Sequence, residues 1–281
     1  MLPVFELDPS GQPVPVPGDF ASMTAVSAAL PDGAYTTFRT YDGTRVLRLE
    51  RHFDRLEDSL ALMGTPARLD RAGARRVIAA AWRAGGFAEG RFRLTFSANP
   101  APRFVAAAER FTGPSPEEVA RGARCVTVRA ERHNPHAKST GFIAEAARQK
   151  GRLPAGVNEG LLVAEDGVIL EGLSSNAFFI VGEELWTEEA RALSGLTKAL
   201  VLELAPAVGL AVHPHGLPLS NLATADECFI TSVSREILPV VEIDGQPVGA
   251  GRPGPRTTAL RQAWAAVITR EAVDVFSEPA R

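Results

Sequence analysis

The sequence predicts an α+β (mixed α/β) chain of two domains, and three observations support this prediction. Strand and helix patterns alternate in the first third of the chain, a proline and glycine cluster interrupts them at Thr112–Pro116, and further short strands and helices follow. Such clusters fit linkers better than the interior of a helix or strand. We therefore place a small two-layer α/β domain at 1–113 and a larger domain at 114–281.

The small domain is predicted to open with a hairpin and to continue with two amphipathic helices. Two strand-like segments flank Asp42-Gly43, a dipeptide typical of two-residue hairpin turns. Apolar residues then recur at helical spacing in two segments, and Gly85-Gly86 ends the second of them. The predicted elements in chain order are strands 35–41 and 44–49, helices 51–63 and 68–83, and strands 91–97 and 103–108.

The larger domain is predicted to combine short strands with three helices. Asp166-Gly167 marks a second hairpin turn, and Pro255 lies in the first turn of the closing helix, where proline is favoured. The predicted elements are a helix after Lys138 running to about 150, strands 160–164, 168–171 and 177–181, helix 196–208, strands 227–231 and 237–243, and helix 255–270. This order places Lys138 directly before a helix.

Composition and charge narrow the class of protein. With 281 residues, of which 45% are hydrophobic and 22% charged, the chain is long enough to bury a sizeable core. Its formal net charge of −3 provides no basic excess for nucleic acid, and no apolar run is long enough to span a membrane. The stretch Met1–Phe20 has no basic start and carries five prolines, unlike a signal peptide. We therefore expect a cytoplasmic protein that binds neither nucleic acid nor membrane.

Cysteine and histidine patterns point away from disulfide and metal chemistry. Cys125 and Cys228 each lie in an apolar, strand-like stretch, which favours buried and reduced thiols. The histidine pairs have no cysteine or carboxylate at metal-ligand spacing. We therefore expect no metal site.

Lysine is scarce in this chain. Three of the 30 basic residues are lysines, namely Lys138, Lys150 and Lys198, and the others are arginines. An arginine side chain stays protonated and cannot form an imine with a carbonyl cofactor, whereas a lysine can. The three lysines are therefore the possible anchors for such a cofactor.

Lys138 is the favoured anchor among the three. It lies between apolar neighbours, where desolvation favours the neutral amine that forms imines. A simple cation at a helix start is the alternative, but a positive charge is unfavourable at that end of a helix. Lys150 ends its helix, where a cation is favourable, and Lys198 lies in the first turn of the next helix.

Two further segments could hold parts of a cofactor. Leu193–Thr197 is a glycine-containing turn that opens a helix, and a helix start of this kind binds phosphate, although helix capping alone also explains it. Glu171 closes an apolar strand ahead of a polar turn, and a carboxylate there could keep a pyridine nitrogen protonated. A glutamate of an edge strand facing water is the alternative for Glu171.

Taken in order, these segments resemble the class IV pyridoxal-phosphate-dependent enzymes. This family contains branched-chain aminotransferases, D-amino acid aminotransferases and 4-amino-4-deoxychorismate lyases. The resemblance extends from about Gly33 to Gly249. The matching stretches are Arg51-His-Phe-Asp-Arg55-Leu-x-x-Ser59, Lys138, Glu171 with Asn176, Leu193-Ser-Gly-Leu-Thr197, and residues 226–240.

The resemblance implies the roles of individual residues. It implies fold type IV, with a larger pseudo-barrel domain that carries the lysine, and a homodimer that holds pyridoxal 5′-phosphate (PLP) between two domains. Lys138 would be the catalytic residue, which forms the Schiff base and moves protons, and Glu171 would pair with the pyridine nitrogen. The implied cofactor-binding residues are Arg55, Lys138, Glu171, Ser174, Ser175, Gly195, Leu196, Thr197, Ser232 and Val233.

The substrate stays open. Ile143 stands where branched-chain members usually carry a tyrosine, and Phe96-Ser97 stands where D-amino acid enzymes often carry an arginine followed by glycine. Arg39 and Arg93 are candidate partners for a substrate carboxylate, and Tyr35 is expected to line the pocket. Neither the stereochemistry nor the side chain of the amino donor follows from these residues.

The resulting hypothesis is a PLP-dependent aminotransferase of amino acid metabolism. It would move an amino group between an amino acid, with branched-chain or other apolar ones favoured, and a 2-oxo acid such as 2-oxoglutarate. A 4-amino-4-deoxychorismate lyase that releases 4-aminobenzoate and pyruvate is the first alternative, because residues 229–237 are as close to lyase members and Ser194 replaces a usual proline. A non-catalytic PLP-binding protein of the same fold is the second.

Overall fold

The computed structural model describes residues 1–132 and 134–276. Contacts divide the chain into two compact units. Unit 1 comprises Met1–Thr112, Ala137–Ala144 and the described residues from Ile268 onward, and unit 2 comprises Gly113–His136 and Glu145–Val267. The short segment that contains Lys138 thus belongs to unit 1, whereas the sequence assigned that lysine to the larger C-terminal domain. The domain bounds 1–113 and 114–281 stay a prediction.

Helices and strands occur together in both units, which agrees with the predicted mixed class. The helices of the described residues are α1 (Met23–Ala29), α2 (Leu49–Leu62), α3 (Arg71–Gly85), α4 (Pro116–Arg121), α5 (Gly141–Lys150), α6 (Leu196–Leu204) and α7 (Pro255–Glu271), with 3-10 turns at Ala205–Val208 and Leu219–Thr224. None of these helices is both long and apolar enough to cross a membrane.

The strands form two sheets, one in each unit. Within the described residues they are β1 (Val4–Leu7), β2 (Pro13–Pro15), β3 (Ala34–Tyr41), β4 (Arg45–Leu47), β5 (Gly90–Ser97), β6 (Arg103–Arg110), β7 (Ala123–Arg129), β8 (Glu159–Val163), β9 (Ile169–Gly172), β10 (Asn176–Val181), β11 (Glu184–Trp186), β12 (Ala211–His213), β13 (Glu227–Ser232), β14 (Glu236–Ile243), β15 (Gln246–Pro247) and β16 (Ala272–Asp274).

Unit 1 is built on an antiparallel sheet. Its seven described strands follow the order β16-β4-β3-β5-β6-β1-β2. Helices α2 and α3 contribute Phe53, Leu56 and Ile78 to a core in which Phe38 and Phe92 of neighbouring strands stack at 4.8 Å between ring centroids. Burial of this apolar surface is the main force that holds helices on a sheet. The predicted two-layer α/β unit is therefore observed.

Helices α2 and α3 of unit 1 begin and end for local reasons. Asp70 caps α3 by accepting a hydrogen bond from the Gly73 N–H, and Gly86 ends it in the left-handed conformation. The prediction placed the start of this helix at residue 68, three residues early, because apolar spacing does not reveal the cap. Helix α2 follows Arg48, whose φ of 53° turns the chain out of β4.

Unit 2 holds a mixed sheet. Its described strands follow the order β12-β11-β10-β13-β14-β7-β8-β9, with β15 added beside β14. Phe178 and Phe229 of β10 and β13 stack at 4.8 Å between ring centroids on one face, and Cys228 and Ile230 face a second core on the other. Cys125 and Cys228 are both buried and free, which confirms the prediction for the thiols.

Candidate active site

The main chain around Lys138 extends the start of β3 in unit 1. The Lys138 carbonyl accepts a hydrogen bond from the Tyr35 N–H at 2.9 Å, and Ser139 forms an antiparallel bridge with Ala34. Thr140 exchanges two bonds with Gly33, one from its N–H at 2.9 Å and one to its hydroxyl at 3.1 Å. A side chain at Gly33 would collide with the Phe96 carbonyl, so glycine is needed for this close approach. Lys138 is therefore fixed in register beside Tyr35.

The side chain of Lys138 lies against an aromatic ring. Its Nζ is 4.8 Å from the centroid of the Tyr35 ring, within the range of a cation–π contact. Its backbone N–H donates to the Oγ of Ser59, a fully buried residue of α2, at 3.2 Å. Strand β3 and helix α2 thus both fix the position of the lysine.

One face of α2 carries three polar residues near the lysine. His52, Arg55 and Ser59 are spaced three and four residues apart, so they share that face. The His52 Nδ1 lies 2.8 Å from the hydroxyl of buried Thr36. Burial, together with the positive charges of Arg55 and Lys138, lowers the pKa of His52 to about 3. His52 is therefore a neutral imidazole at physiological pH, and sequence reasoning assigned it no role although it lies within the Arg51–Ser59 stretch.

The two arginines proposed for a substrate carboxylate have different surroundings. The Arg39 Nη2 lies 2.9 Å from a Glu89 carboxylate oxygen, and its guanidinium stacks on the Phe111 ring at 3.8 Å from the centroid. The Arg93 Nη1 donates to the Met23 carbonyl at 2.8 Å, and burial lowers the pKa of Arg93. The Arg93 Nε is buried and has no hydrogen-bond partner in residues 1–132 and 134–276.

Arg93 also lies near the lysine's aromatic neighbour. Its guanidinium carbon is 5.4 Å from the Tyr35 ring centroid, and Thr37 of β3 pairs directly with Arg93 of β5. Tyr35 and Thr37 share one face of β3, because side chains alternate along a strand. The structure therefore brings Tyr35, Arg93 and Lys138 together within unit 1, whereas Arg39 is engaged by Glu89.

Glu171 is a buried and fully oriented carboxylate of unit 2. Its side chain is 4% exposed, and its Oε2 accepts hydrogen bonds from the Leu193 N–H at 3.1 Å and from the Asn176 Nδ2 at 3.4 Å. The Arg132 Nη1 lies 3.5 Å from the other oxygen, Oε1, and Arg132 is itself 8% exposed. The alternative of an edge-strand glutamate facing water is wrong, because the turn after β9 folds the residue inward.

Asn176 joins Glu171 to the predicted phosphate loop. Its Nδ2 also donates to the Leu193 carbonyl at 2.7 Å. A side chain at Gly195 would collide with the Asn176 Oδ1, so only glycine allows this loop to pass so closely. Gly195 is the N-cap of α6 and makes no side-chain capping bond, and Thr197 in the first turn is buried. The carboxylate and the loop therefore form one connected arrangement.

Ser232 ends β13, and Val233 begins the turn between β13 and β14. Thr231, the residue before them, pairs across the strands with Asn176, so both side chains lie on the same face. The Thr231 hydroxyl is buried and has no hydrogen-bond partner within the described residues. Buried hydroxyls are nearly always bonded, and an orphan of this kind calls for a missing partner.

Ser174 and Ser175 direct their hydroxyls to a buried glutamate. Both donate to the Oε2 of Glu159, at 2.7 and 3.1 Å. The Lys150 Nζ donates to the Ser174 Oγ at 2.6 Å. Sequence reasoning missed Glu159, because a glutamate at the start of a strand gives no local signal of burial.

Lys198 is buried in unit 2 rather than exposed at its helix start. Its Nζ donates to the Glu188 carbonyl, and burial lowers its pKa although Glu189, Glu171 and Glu188 oppose that shift. It is therefore engaged beside the predicted phosphate loop. No group of three or more histidine, cysteine, aspartate or glutamate side chains in the described part of the chain could hold a metal ion.

Comparison with known proteins identifies the family to which the chain belongs. Residues 33–243 match the family model described as amino-transferase class IV, so the chain belongs to that family. This match spans Lys138, Glu171 and the turn at Ser232, and it confirms the family resemblance.

Several curated relatives are similar over most of their length. A putative branched-chain-amino-acid aminotransferase of Methanocaldococcus jannaschii is 29% identical over 262 residues, which is 88% of this chain and 91% of the relative. A branched-chain-amino-acid aminotransferase of Pseudomonas aeruginosa is 28% identical over 83% of this chain and 82% of its own. A D-alanine aminotransferase of Bacillus licheniformis is 29% identical, over 83% and 86% respectively.

Solved structures share the fold. The branched-chain amino acid aminotransferase of Escherichia coli is 25% identical, with a TM-score of 0.76 and coverage of 98% of this chain and 97% of that one. A second branched-chain amino acid aminotransferase, crystallised with pyridoxamine 5′-phosphate, is also 25% identical, with a TM-score of 0.77 and coverage of 98% of both chains. The predicted fold class is thereby confirmed.

Proposed function

We propose that this class IV aminotransferase uses PLP to move an amino group between an amino acid and a 2-oxo acid such as 2-oxoglutarate. Branched-chain or other apolar amino acids are the favoured donors, as the names of several similar proteins suggest. The observation that carries the proposal is that the family match contains both a lysine beside an aromatic ring and a buried, oriented carboxylate.

The residues of each unit fit the cofactor. In unit 2, the Thr231 hydroxyl lacks a partner in the described chain, as expected beside a ligand site. When bound, PLP supplies a carbonyl that reacts with amines and a ring that withdraws electrons from the substrate. The residues proposed to hold it are Arg55, Lys138, Glu171, Gly195, Leu196, Thr197, Ser232 and Val233, supported by the turn of Ser174 and Ser175.

Lys138 is the proposed catalytic residue. Its Nζ would hold the cofactor carbonyl and would accept and return the proton of the donor's α-carbon. The main-chain bonds to Tyr35 and Ser59 fix the lysine's Cα while leaving the long side chain able to carry the proton between positions. The Tyr35 ring provides the wall against which the amine lies.

Glu171 is the proposed partner of the pyridine nitrogen. Its carboxylate is oriented before any ligand binds, because Leu193 and Asn176 hold Oε2. A fixed negative charge of this kind favours a proton on a neighbouring ring nitrogen. Arg55 and the backbone of the loops at Gly195–Thr197 and Ser232–Val233 are assigned to the phosphate.

Arg93 is the stronger of the two candidates for a substrate carboxylate. It has an Nε without a partner in the described residues and lies beside Tyr35, whereas Arg39 is already paired with Glu89. The proposed substrate residues are therefore Arg93 and Tyr35, with Arg39 as the weaker candidate.

A spectral titration with many donors tests the proposed function. The purified protein with PLP is expected to absorb in the visible range, and the band is expected to fall when an amino donor is added. Formation of glutamate from 2-oxoglutarate across a panel of L- and D-amino acids then ranks the donors. A protein that shows no amino transfer from any donor contradicts the proposal.

We also propose a cytoplasmic homodimer. The buried free thiols of Cys125 and Cys228 suit a reducing compartment, and burial raises the pKa of both. The dimer rests on family resemblance. Light scattering on the eluting protein tests it, and a monomer at micromolar concentration argues against it.

A further inference from the structure

Glu159 is a charged residue with no access to solvent. It begins β8, its side chain is 0% exposed, and it accepts hydrogen bonds from both hydroxyls of the Ser174–Ser175 turn. A side chain at Gly172 would collide with the Ser175 hydroxyl, so glycine lets this turn close over the carboxylate. A charge buried this completely requires compensation on every side.

Arg235 supplies most of that compensation. Its Nη1 donates to the Glu159 Oε2 at 2.7 Å and lies 3.3 Å from the Ser174 Oγ, while its Nη2 donates to the Asn158 carbonyl at 3.4 Å. Burial raises the pKa of Glu159, but the charges of Arg235 and Lys150 outweigh it, so the pKa lies below its ordinary value. Glu159 is therefore an ionised carboxylate.

Arg235 also belongs to the turn that follows β13. Its backbone N–H donates to the Ser232 Oγ at 3.3 Å. The next residue, Glu236, has a φ of 53°, a conformation that costs a residue other than glycine about 1 kcal/mol. The turn therefore adopts a strained shape, and the Arg235 side chain ties that shape to Glu159.

We propose that Glu159 and Arg235 are positioning residues that hold the turns Ser174–Ser175 and Ser232–Arg235 in the shape that binds the cofactor phosphate. This inference rests on the proposed function, in which Ser232 and Val233 contact that phosphate. Arg235 acts by holding its neighbours in place, because its guanidinium nitrogens are engaged by the Glu159 carboxylate, the Ser174 hydroxyl and the Asn158 carbonyl.

The test compares PLP with pyridoxal, which lacks the phosphate. The variants are Glu159→Gln, Arg235→Lys and the double variant, each prepared without cofactor and titrated with either compound while absorbance is followed. We expect PLP affinity to fall about tenfold or more, the scale of one lost charge-assisted hydrogen bond. Pyridoxal affinity is expected to stay near that of the wild type.

The double variant separates positioning from direct contact. If the two residues act as one unit, the double variant loses about as much PLP affinity as either single variant. If Arg235 instead bound the phosphate directly, Glu159→Gln would leave PLP affinity unchanged or raise it, and this result overturns the proposal. Equal losses for PLP and pyridoxal also overturn it.

Arg124→Leu is the matched control. Arg124 forms an ion pair with Glu242 at 2.8 Å in the same sheet, and the substitution leaves its backbone bonds to Asn158 in place. It is expected to bind both compounds like the wild type. Thermal unfolding without cofactor identifies variants that fail to fold. If Glu159→Gln does not fold, the PLP and pyridoxal affinities of the milder variant Arg235→Lys test the proposal. A wild-type protein that fails to bind PLP refutes the proposed function instead.

Discussion

Lys138 in unit 1 is held through its main chain, whereas Glu171 in unit 2 is held through its carboxylate. The lysine's N–H and carbonyl bond Ser59 and Tyr35, and its Nζ lies against a ring. The carboxylate of Glu171 accepts two hydrogen bonds and faces Arg132. A side chain that carries a proton needs a mobile end and a fixed main chain. A side chain that supplies a constant charge needs its charged end held in place.

The charged groups around Lys138 and Glu171 also differ. Around Lys138, burial lowers the pKa of the neighbouring His52 imidazole, and the positive charges of Arg55 and Lys138 contribute to that shift. Around Glu171, the carboxylate faces buried Arg132 and accepts hydrogen bonds from the Leu193 N–H and the Asn176 amide.

Replacing Lys138 should have the largest effect. In Lys138→Arg no imine can form, because a guanidinium stays protonated, so we expect amino transfer to fall by about a thousandfold or more. The melting temperature should change little, because the bonds of the main chain survive. Glutamate formation and thermal unfolding measure the two quantities. Retained transfer in this variant contradicts the assignment of the anchor.

Replacing Glu171 should have the next largest effect. Glu171→Gln removes the charge and keeps the shape, so we expect kcat to fall about 10- to 100-fold, the worth of a charge-assisted hydrogen bond. The variant should also be less stable, because Arg132 stays buried without its counter-charge. Glu242→Gln, which alters an exposed pair of the same sheet, is the control. Equal kcat values in both variants argue against a role in the chemistry.

Gly195→Ala should weaken cofactor binding more than it weakens folding. The added methyl group collides with the Asn176 Oδ1 and displaces the loop that Asn176 ties to Glu171. Overpacking of this kind costs about 1–3 kcal/mol, so PLP affinity is expected to fall about tenfold. Gly151→Ala, whose added methyl group would make only ordinary contacts at 3.6 Å, is the control for the loss of a glycine. Unchanged affinity in Gly195→Ala removes the loop from the site.

The smallest expected effect is the loss of stability that His52 causes at acidic pH. The unfolded chain, with the ordinary pKa of about 6.5, takes up a proton before the folded chain, whose His52 has a pKa of about 3. His52 therefore does not affect the free energy of unfolding above about pH 6.5. Below that pH, the free energy of unfolding decreases as the pH falls toward 3.

A His52→Gln variant removes this dependence. We expect the wild type to lose about 1.4 kcal/mol more than the variant between pH 7.5 and 5.5, because one pKa unit corresponds to that free energy. Urea unfolding at both pH values measures the difference. Parallel losses in the two proteins mean that His52 is protonated in the folded state.

Local sequence signals predicted much of the backbone. Asp42-Gly43 was expected to turn a hairpin, and both residues do adopt a positive φ, of 48° and 92°. The apolar spacing of 51–63 gave α2 within two residues at its start, since the helix begins at Leu49. Helix 196–208 ended early in the structure, because Pro206 turns its last residues into a 3-10 segment.

The sequence by itself determined the identity and order of the chemical groups: one lysine before a helix, one glutamate after a strand, and a glycine loop opening a helix. Their neighbours could not be predicted, because pairs such as Glu159 and Arg235 are 76 positions apart and meet only in the folded sheet. The choice between Arg39 and Arg93 depended on Glu89, which pairs with one and not the other. Local periodicity specifies helices and strands, but burial and charge pairing arise only when distant segments pack together.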